Sequence, residues 1–564
     1  MSTEASSTDP SSSELSTEAL LVAANAWLEQ DPDAVTHTEL EALITDASNG
    51  DETAIAGLHH RFDTRLAFGT AGLRGELGAG PNRMNRVLVT QAAAGLAAYL
   101  LTHELSPSIV IGYDGRINSE VFARDTATIM AGAGVRAILL PRLLPTPVLA
   151  FAVRHLNVSA GVMVTASHNP ANDNGYKVYL GGDNHGSQIV PPVDGDIAHA
   201  IDIVAKGSIA ELPRSTDFVT TDEGVVDEYI ARTAALGKPV ADIIYTYTAM
   251  HGVGWETSKA VFAKVGFTAP VVIEEQAHPD AAFPTVAFPN PEEPGAMDLS
   301  FAKAREVGAD VAIAHDPDAD RLAVAIVGRD GQWRRLSGNE VGILLGWRAA
   351  ERANGVGVLA ASIVSSPALR AIAADYGMTY RDTLTGFKWI SRIDGLTFGY
   401  EEALGYLVDP DKVRDKDGIS ASVDFLSLVA ELKAQGKTVL DRLDEFTARF
   451  GAFASRQVSV RFDKISEIGQ MMTRVRTNAP TEVGGYRVSA FTDFIDGIDG
   501  FIPNDILRMD FDDGSRIIVR PSGTEPKLKF YVDASSTVGD GAERQAAAEA
   551  VATQLESGMR ELLA

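Results

Sequence analysis

SIVIGYDGRINSEVFARDTATIMAGAGVRAILLPRLLPTPVLAFAVRHLNVSAGVMVTASHNP, residues 108–170, alternates between two periodicities. Ser108–Gly112 is a β-rich run, Ser119–Ala133 has helical spacing, and Ala137–Leu140 returns to a strand. A helix around Val148–His155 and a strand over Gly161–Thr165 complete the series. Strands alternating with helices at this interval predict parallel strands joined by crossover helices, an α/β layer. The last strand runs into Thr165-Ala166-Ser167-His168-Asn169-Pro170. A serine thus falls at the carboxyl end of a parallel strand, where α/β folds place their ligands. A plain Ser/Asn/Pro turn is the alternative for this segment taken alone.

Outward from this stretch the same alternation restarts at Ile243–Tyr247 and Val311–Ala314. It restarts again with a helix at Asn339–Arg352, a strand at Gly357–Ile363 and a helix at Pro367–Tyr376. Breaks near Pro213, Leu336 and Gly451 divide the chain into three α/β units and a last one of different character. That last unit has β-rich runs at Gln457–Phe462, Arg487–Phe491, Leu507–Phe511, Arg516–Val519 and Lys529–Val532, closed by a long Ala- and Glu-rich helix. Toward the N-terminus, Glu18–Gln30 and Thr38–Ala47 read as helices behind a Ser/Thr/Glu-rich tail that should be disordered. The expected organisation is a tail over 1–17, a helical extension over 18–60, and units over 61–212, 213–335, 336–450 and 451–564.

Composition narrows the chemistry. None of the 564 residues is a cysteine, which excludes disulfides, thiolate nucleophiles and Cys-ligated metals. Acidic residues outnumber basic ones by 76 to 49, a formal charge of −27 that argues against nucleic acid as partner. An anionic substrate would need a local positive island or a metal ion. No apolar run reaches the length of a membrane span and no basic, apolar leader opens the chain, so a cytoplasmic protein without a membrane partner is expected.

Three further segments carry chemistry. His315-Asp316-Pro317-Asp318-Ala319-Asp320-Arg321 follows a strand and sets three carboxylates at alternate positions, able to converge on one hard cation. An EF-hand is excluded, because Arg321 stands where the loop glycine should be and Val327 where the closing glutamate should be. Mg²⁺ suits the set better; a solvated acidic loop is the alternative. Arg520-Pro521-Ser522-Gly523-Thr524-Glu525-Pro526-Lys527 combines a guanidinium, hydroxyls, an exposed backbone N–H and an ammonium, groups that suit a phosphate dianion; an ordinary hairpin turn is the alternative. Gly399-Tyr400-Glu401-Glu402-Ala403-Leu404-Gly405-Tyr406 resembles a grip for vicinal sugar hydroxyls; an ordinary acidic loop is the alternative. The glycine-rich Gly69–Gly75 lacks both a preceding strand and the dinucleotide-binding spacing, though Arg74 could contact phosphate. With one segment per unit, a shared site would lie in a cleft between units. A nucleophilic hydroxyl, a hard metal, a sugar grip and a phosphate clamp imply phosphoryl transfer on a sugar phosphate.

In order, composition and spacing these segments resemble the α-D-phosphohexomutase superfamily, in its phosphoglucomutase/phosphomannomutase branch, over about Phe68–Val532. The resemblance implies four domains around a central cleft: three α/β domains and a C-terminal α+β domain of the TATA-binding-protein-like kind. It implies that Ser167 carries the phosphoryl group and that Asp316, Asp318 and Asp320 hold Mg²⁺ together with an oxygen of that phosphoserine. Arg321, Arg74, His168 and Lys177 would serve the transfer. Glu401, with Glu402 beside it, would bind the sugar with Thr385, Gly386 and Lys388. Arg520, Ser522, Gly523 and Thr524 would hold the phosphate that stays. Ala403 departs from the serine common at that position, which removes a neutral hydrogen bond worth about 0.5–1.5 kcal/mol. The reaction implied interconverts sugar 1- and 6-phosphates, glucose first and then mannose, through a sugar 1,6-bisphosphate; a pentose phosphate is the alternative. A monomer or weak homodimer is expected. A phosphatase, which would admit water, and a sugar-phosphate sensor, which would not turn over, are the rival classes.

Overall fold

The computed structural model describes residues 15–69, 72–462, 465–498, 500–521 and 527–563. Most of the expected tail, residues 1–14, lies outside the described residues. By its internal contacts the chain divides into two compact units. One comprises residues 1–227 with 251–253 and 278–290; the other comprises 228–250, 254–277 and 291–564.

The first unit opens with three helices, Thr17–Leu28, Ala34–Ser48 and Glu52–Phe62, N-capped by the side chains of Ser16, Asp33 and Asp51. Leu20, Trp27, Leu40, Leu58 and Phe62 form their common core, closed against Ala79 and Val87. The second helix starts earlier than its apolar spacing predicts, because Asp33 accepts the N–H of Val35 and fixes the first turn there. The helix Arg86–His103 is not legible from periodicity: it is buried on most sides, so no polar face breaks its apolar pattern.

Behind these helices lies a seven-stranded sheet. Ala160–Val164, Ser108–Tyr113, Arg136–Leu139 and Val219–Thr220 run parallel, the last beyond the break at Pro213. Asp173–Leu180 and Leu73–Glu76 add antiparallel strands beside Ala160–Val164. The central strands are buried at every residue, as befits parallel strands covered on both faces.

The second unit holds three sheets among the described residues. A five-stranded sheet has Val311–Ala314 parallel to Tyr245–Thr248 and hairpinned to Ala323–Val327. A four-stranded sheet has Val358–Ser362 parallel to Thr379–Thr383 and to Leu396–Glu401, which turns back into Gly405–Leu407. The last sheet is antiparallel throughout, six strands from Ala452–Arg461 to Glu482–Val483. Its residues alternate in side: Ile517 and Val519 pack with Leu555 and Met559 of the helix Gly541–Leu563, while Ile518 packs with Ile363 and Leu384. The unit is mixed α/β in its first two sheets and α+β in its last.

Candidate active site

The strand Ala160–Val164 delivers the serine turn. Ser167 is 3% exposed and adopts φ 52, the left-handed region that a non-glycine residue enters only under outside constraint. Its N–H donates to Thr165 Oγ1 at 2.9 Å, and its Oγ lies 3.3 Å from His168 Nδ1. Lys177, 7% exposed, stands opposite Met163 on the antiparallel neighbour strand. Arg74 pairs in register with Gly175 and donates to Asn169 Oδ1 at 2.8 Å. Gly175 has no room for a side chain: a Cβ would lie 2.6 Å from the Thr165 carbonyl oxygen. Ser167, His168, Lys177 and Arg74 are therefore gathered on adjacent strands and the turn between them. Arg116, which pattern reading passes over, is 4% exposed and donates to the carbonyl of Ser167 at 2.6 Å.

In the second unit the strand Val311–Ala314 ends in the aspartate loop. Asp316, Asp318 and Asp320 are 0%, 0% and 1% exposed, and one oxygen from each lies within 4.8 Å of the others. Ala319 at φ 55, its N–H donating to the Asp316 carbonyl at 2.9 Å, makes the tight turn that brings alternate carboxylates together. Three ionised carboxylates this close and this dry repel one another, and an oxygen-only donor set of that kind can hold a divalent cation. His315, ahead of the loop, hydrogen-bonds Tyr247 and Ser422; burial holds its pKa down to about 4, so it stays neutral and structural.

Arg321 closes the loop. Its N–H donates to Asp316 Oδ1 at 3.1 Å, and its guanidinium lies 3.9 Å from Asp316 and from Glu292. Burial opposes its charge, but Asp316, Asp320 and Glu292 outweigh that and raise its pKa. Leu322 N–H donates to the Leu404 carbonyl, which joins the aspartate loop to the turn after Glu401. Glu401 Oε1 accepts the Gly386 N–H at 2.6 Å. Burial, and after it the neighbouring Glu402, push the Glu401 carboxyl up to about 7. Glu402 accepts the hydroxyls of Ser362 and Ser365, each at 2.9 Å. Lys388 lies beside Thr385 and Gly386 with its ammonium 5.7 Å from the Trp389 ring.

Lys416 is the largest omission of the sequence reading. Its Nζ is 3.2 Å from Asp320 and 3.4 Å from Asp415, and the fields of those acids and of Glu401 overcome burial to raise its pKa. The only signal is a lysine between two acids in Asp415-Lys416-Asp417-Gly418, which in sequence looks like a solvated run. Arg520 stands near the end of the strand Arg516–Pro521, opposite Lys529 on Lys527–Ser536. Ser522, Gly523 and Thr524, expected to hold phosphate, lie outside the described residues.

Comparison with known proteins matches four consecutive families, described as phosphoglucomutase/phosphomannomutase alpha/beta/alpha domain I over residues 65–206, domain II over 228–328, domain III over 337–450, and C-terminal domain over 465–550. The chain is 57% identical to a probable phosphomannomutase of Haemophilus influenzae, over 85% of this chain and 98% of that protein. It is 33% identical to the human phosphopentomutase, over 92% of each. In fold it is similar to the crystal structure of a putative phosphomannomutase from Thermus thermophilus, with a TM-score of 0.68 at 23% identity, covering 89% of this chain and 99% of that one.

Proposed function

We propose that this chain, which belongs to the phosphoglucomutase/phosphomannomutase family, interconverts the 1- and 6-phosphates of a hexose through a phosphoserine at Ser167. That it is a phosphosugar mutase, an intramolecular phosphotransferase, follows from the family. The observation that carries the serine assignment is Ser167 itself: buried, held left-handed at the end of a parallel strand, with a histidine 3.3 Å from its hydroxyl.

Phosphorylated Ser167 gives its phosphoryl group to the free hydroxyl of a sugar monophosphate. The Ser167 Oγ–P bond breaks as the new O–P bond forms, and the proton lost by the sugar hydroxyl ends on Ser167 Oγ. Lys177 would take the proton from the sugar hydroxyl as general base, and His168 Nδ1 is placed to return a proton to Ser167 Oγ. The resulting bisphosphate turns over and returns its other phosphoryl group to Ser167 by the same exchange. Asp316, Asp318 and Asp320 would hold Mg²⁺, which when bound offsets the negative charge of the phosphoryl group. Arg321 and Arg74 contribute fixed positive charge to the same end. Glu401, Thr385, Gly386 and Lys388 would grip the sugar, with Glu402 buttressed by Ser362 and Ser365. Arg520, Ser522, Gly523 and Thr524 would hold the phosphate that is not moving.

Glucose and mannose are the hexoses to which the family name and the Haemophilus relative point. The second reading, a pentose phosphate, draws on the human relative. Initial rates on glucose 1-phosphate, mannose 1-phosphate and ribose 1-phosphate, with Mg²⁺ and trace glucose 1,6-bisphosphate, separate them: fastest turnover of a hexose phosphate is expected. Preference for ribose 1-phosphate would install the pentose reading, and steady release of inorganic phosphate without isomerisation would make the protein a phosphatase.

A further inference from the structure

One buried cation organises the whole serine turn. Arg116 donates through one guanidinium nitrogen to the carbonyls of Pro170 at 2.7 Å and Asp173 at 3.1 Å. Through the other it donates to those of Ser167 and Asn169, both at 2.6 Å. Carbonyls spread over one loop, from Ser167 to Asp173, converge on one planar fork, with Asp114 as counter-charge 3.5 Å from Nε. Ser167 keeps its left-handed backbone inside this grip. A residue in that region is held by its surroundings rather than by local preference, so whatever fixes Arg116 also aims the serine hydroxyl.

Beyond Asp114, a further support for Arg116 comes from far along the chain. Residues 278–290 lie within the match to family domain II, between the strand Val271–Val272 and the helix Asp298–Val307, yet they group with the serine's unit. The Phe283 ring lies under the Arg116 guanidinium, 5.0 Å from carbon to centroid. Phe283 is 4% exposed and is itself left-handed at φ 47. Pro279 presses on Gly115 so closely that a Cβ there would come within 2.8 Å, and the Phe288 ring meets His168 edge-on at 6.1 Å. His251 anchors the segment: its ring nitrogen bonds Thr285 at 2.8 Å and its carbonyl accepts the Asp280 N–H at 3.0 Å.

We infer that Phe283 is a positioning residue for the phosphoryl-carrying serine, acting through Arg116. The electron-rich ring face holds the guanidinium in its plane, and the guanidinium holds the carbonyls that set the direction of Ser167 Oγ. A side chain of similar bulk without that face fills the space but lets the cation tilt. The inference deepens the mutase reading of Ser167 and rests on it.

The test uses the full-length protein, with kcat and KM for glucose 1-phosphate measured in Mg²⁺ and trace glucose 1,6-bisphosphate. Phe283→Leu is expected to lower kcat by about tenfold, the scale of a desolvated cation–ring contact, with KM nearly unchanged, and Phe283→Tyr to keep most of the wild-type rate. Mono-, di- and trifluorophenylalanine at position 283 drain the ring face at nearly constant volume, so kcat should fall step by step while the melting temperature holds. That series also covers the case in which Phe283→Leu does not fold. Wild-type kcat in Phe283→Leu, a flat fluorine series, or equal losses in Phe283→Leu and Phe283→Tyr would overturn the inference. A wild-type protein that turns over no sugar phosphate would overturn the mutase reading, and the inference with it, an outcome no variant can mimic.

Discussion

The carboxyl group of Glu401 sits where ionising it is costly, and the cost has a sign that can be measured. Its folded pKa of about 7 stands above the ordinary 4.5. A raised carboxyl pKa adds stability in full below the unfolded value and loses it as pH climbs through the folded one. Glu401→Gln, neutral at every pH, is therefore expected to be more stable than the wild type at pH 8 by about 3 kcal/mol and no more stable near pH 4. Its kcat/KM should fall about 10- to 100-fold, because the charged acceptor proposed for the sugar hydroxyls is gone. Urea unfolding at the two pH values reads the first effect, and equal stability at pH 8 would refute it. Lys416 makes the opposite trade. Lys416→Met leaves Asp320 and Asp415 buried without their cation, so the metal-free protein should lose about 3 kcal/mol. Added Mg²⁺ should then raise the melting temperature more than it does in the wild type; an equal Mg²⁺ response would separate Lys416 from the aspartate loop.

Strand ends and the turns after them place Ser167, the three aspartates and Glu401. Gly175 shows how little slack they have. Gly175→Ala would push a methyl group against the Thr165 carbonyl, two residues from Ser167, and is expected to cost about 1–3 kcal/mol and to lower kcat more than it raises KM. Unfolding and steady-state kinetics on the same preparation check both. Contiguity along the chain decides which of these features are legible in the sequence. Thr165–Pro170 and His315–Arg321 are short, contiguous and chemically dense, so both are legible as sequence, as is the α/β alternation that delivers them. Arg116, Phe283 and Lys416 act through partners far away in the chain, at separations no periodicity reports. The helix Arg86–His103 hides for a different reason: burial on nearly all sides erases the polar face that makes a helix visible. The Glu52–Phe62 helix escapes pattern reading although its cap, Asp51, is an ordinary start signal, because Gly57 and two histidines dilute its apolar stripe.

For the molecule as a whole, a net charge of −27 has to be reconciled with an anionic substrate. Positive groups stand beside the groups of the proposed chemistry: Arg74 and Lys177 accompany the serine, Arg321 and Lys416 the aspartates, and Arg520 lies on the strand Arg516–Pro521 of the last sheet. A divalent cation at the aspartate loop would add the largest single positive charge. Dialysis against EDTA is expected to abolish turnover, and Mg²⁺ to restore it; full activity after chelation would remove the metal from the account. No helix among the described residues is long and apolar enough to cross a membrane. The claim on which everything else depends is that the phosphoryl group travels by way of Ser167. Incubation with ³²P-labelled glucose 1,6-bisphosphate, acid quench and peptide mapping test it directly. Label is expected on the peptide containing Ser167, lost on a chase with unlabelled glucose 6-phosphate and absent in Ser167→Ala; stable label at another residue, or unaltered turnover in Ser167→Ala, would refute a phosphoserine at Ser167.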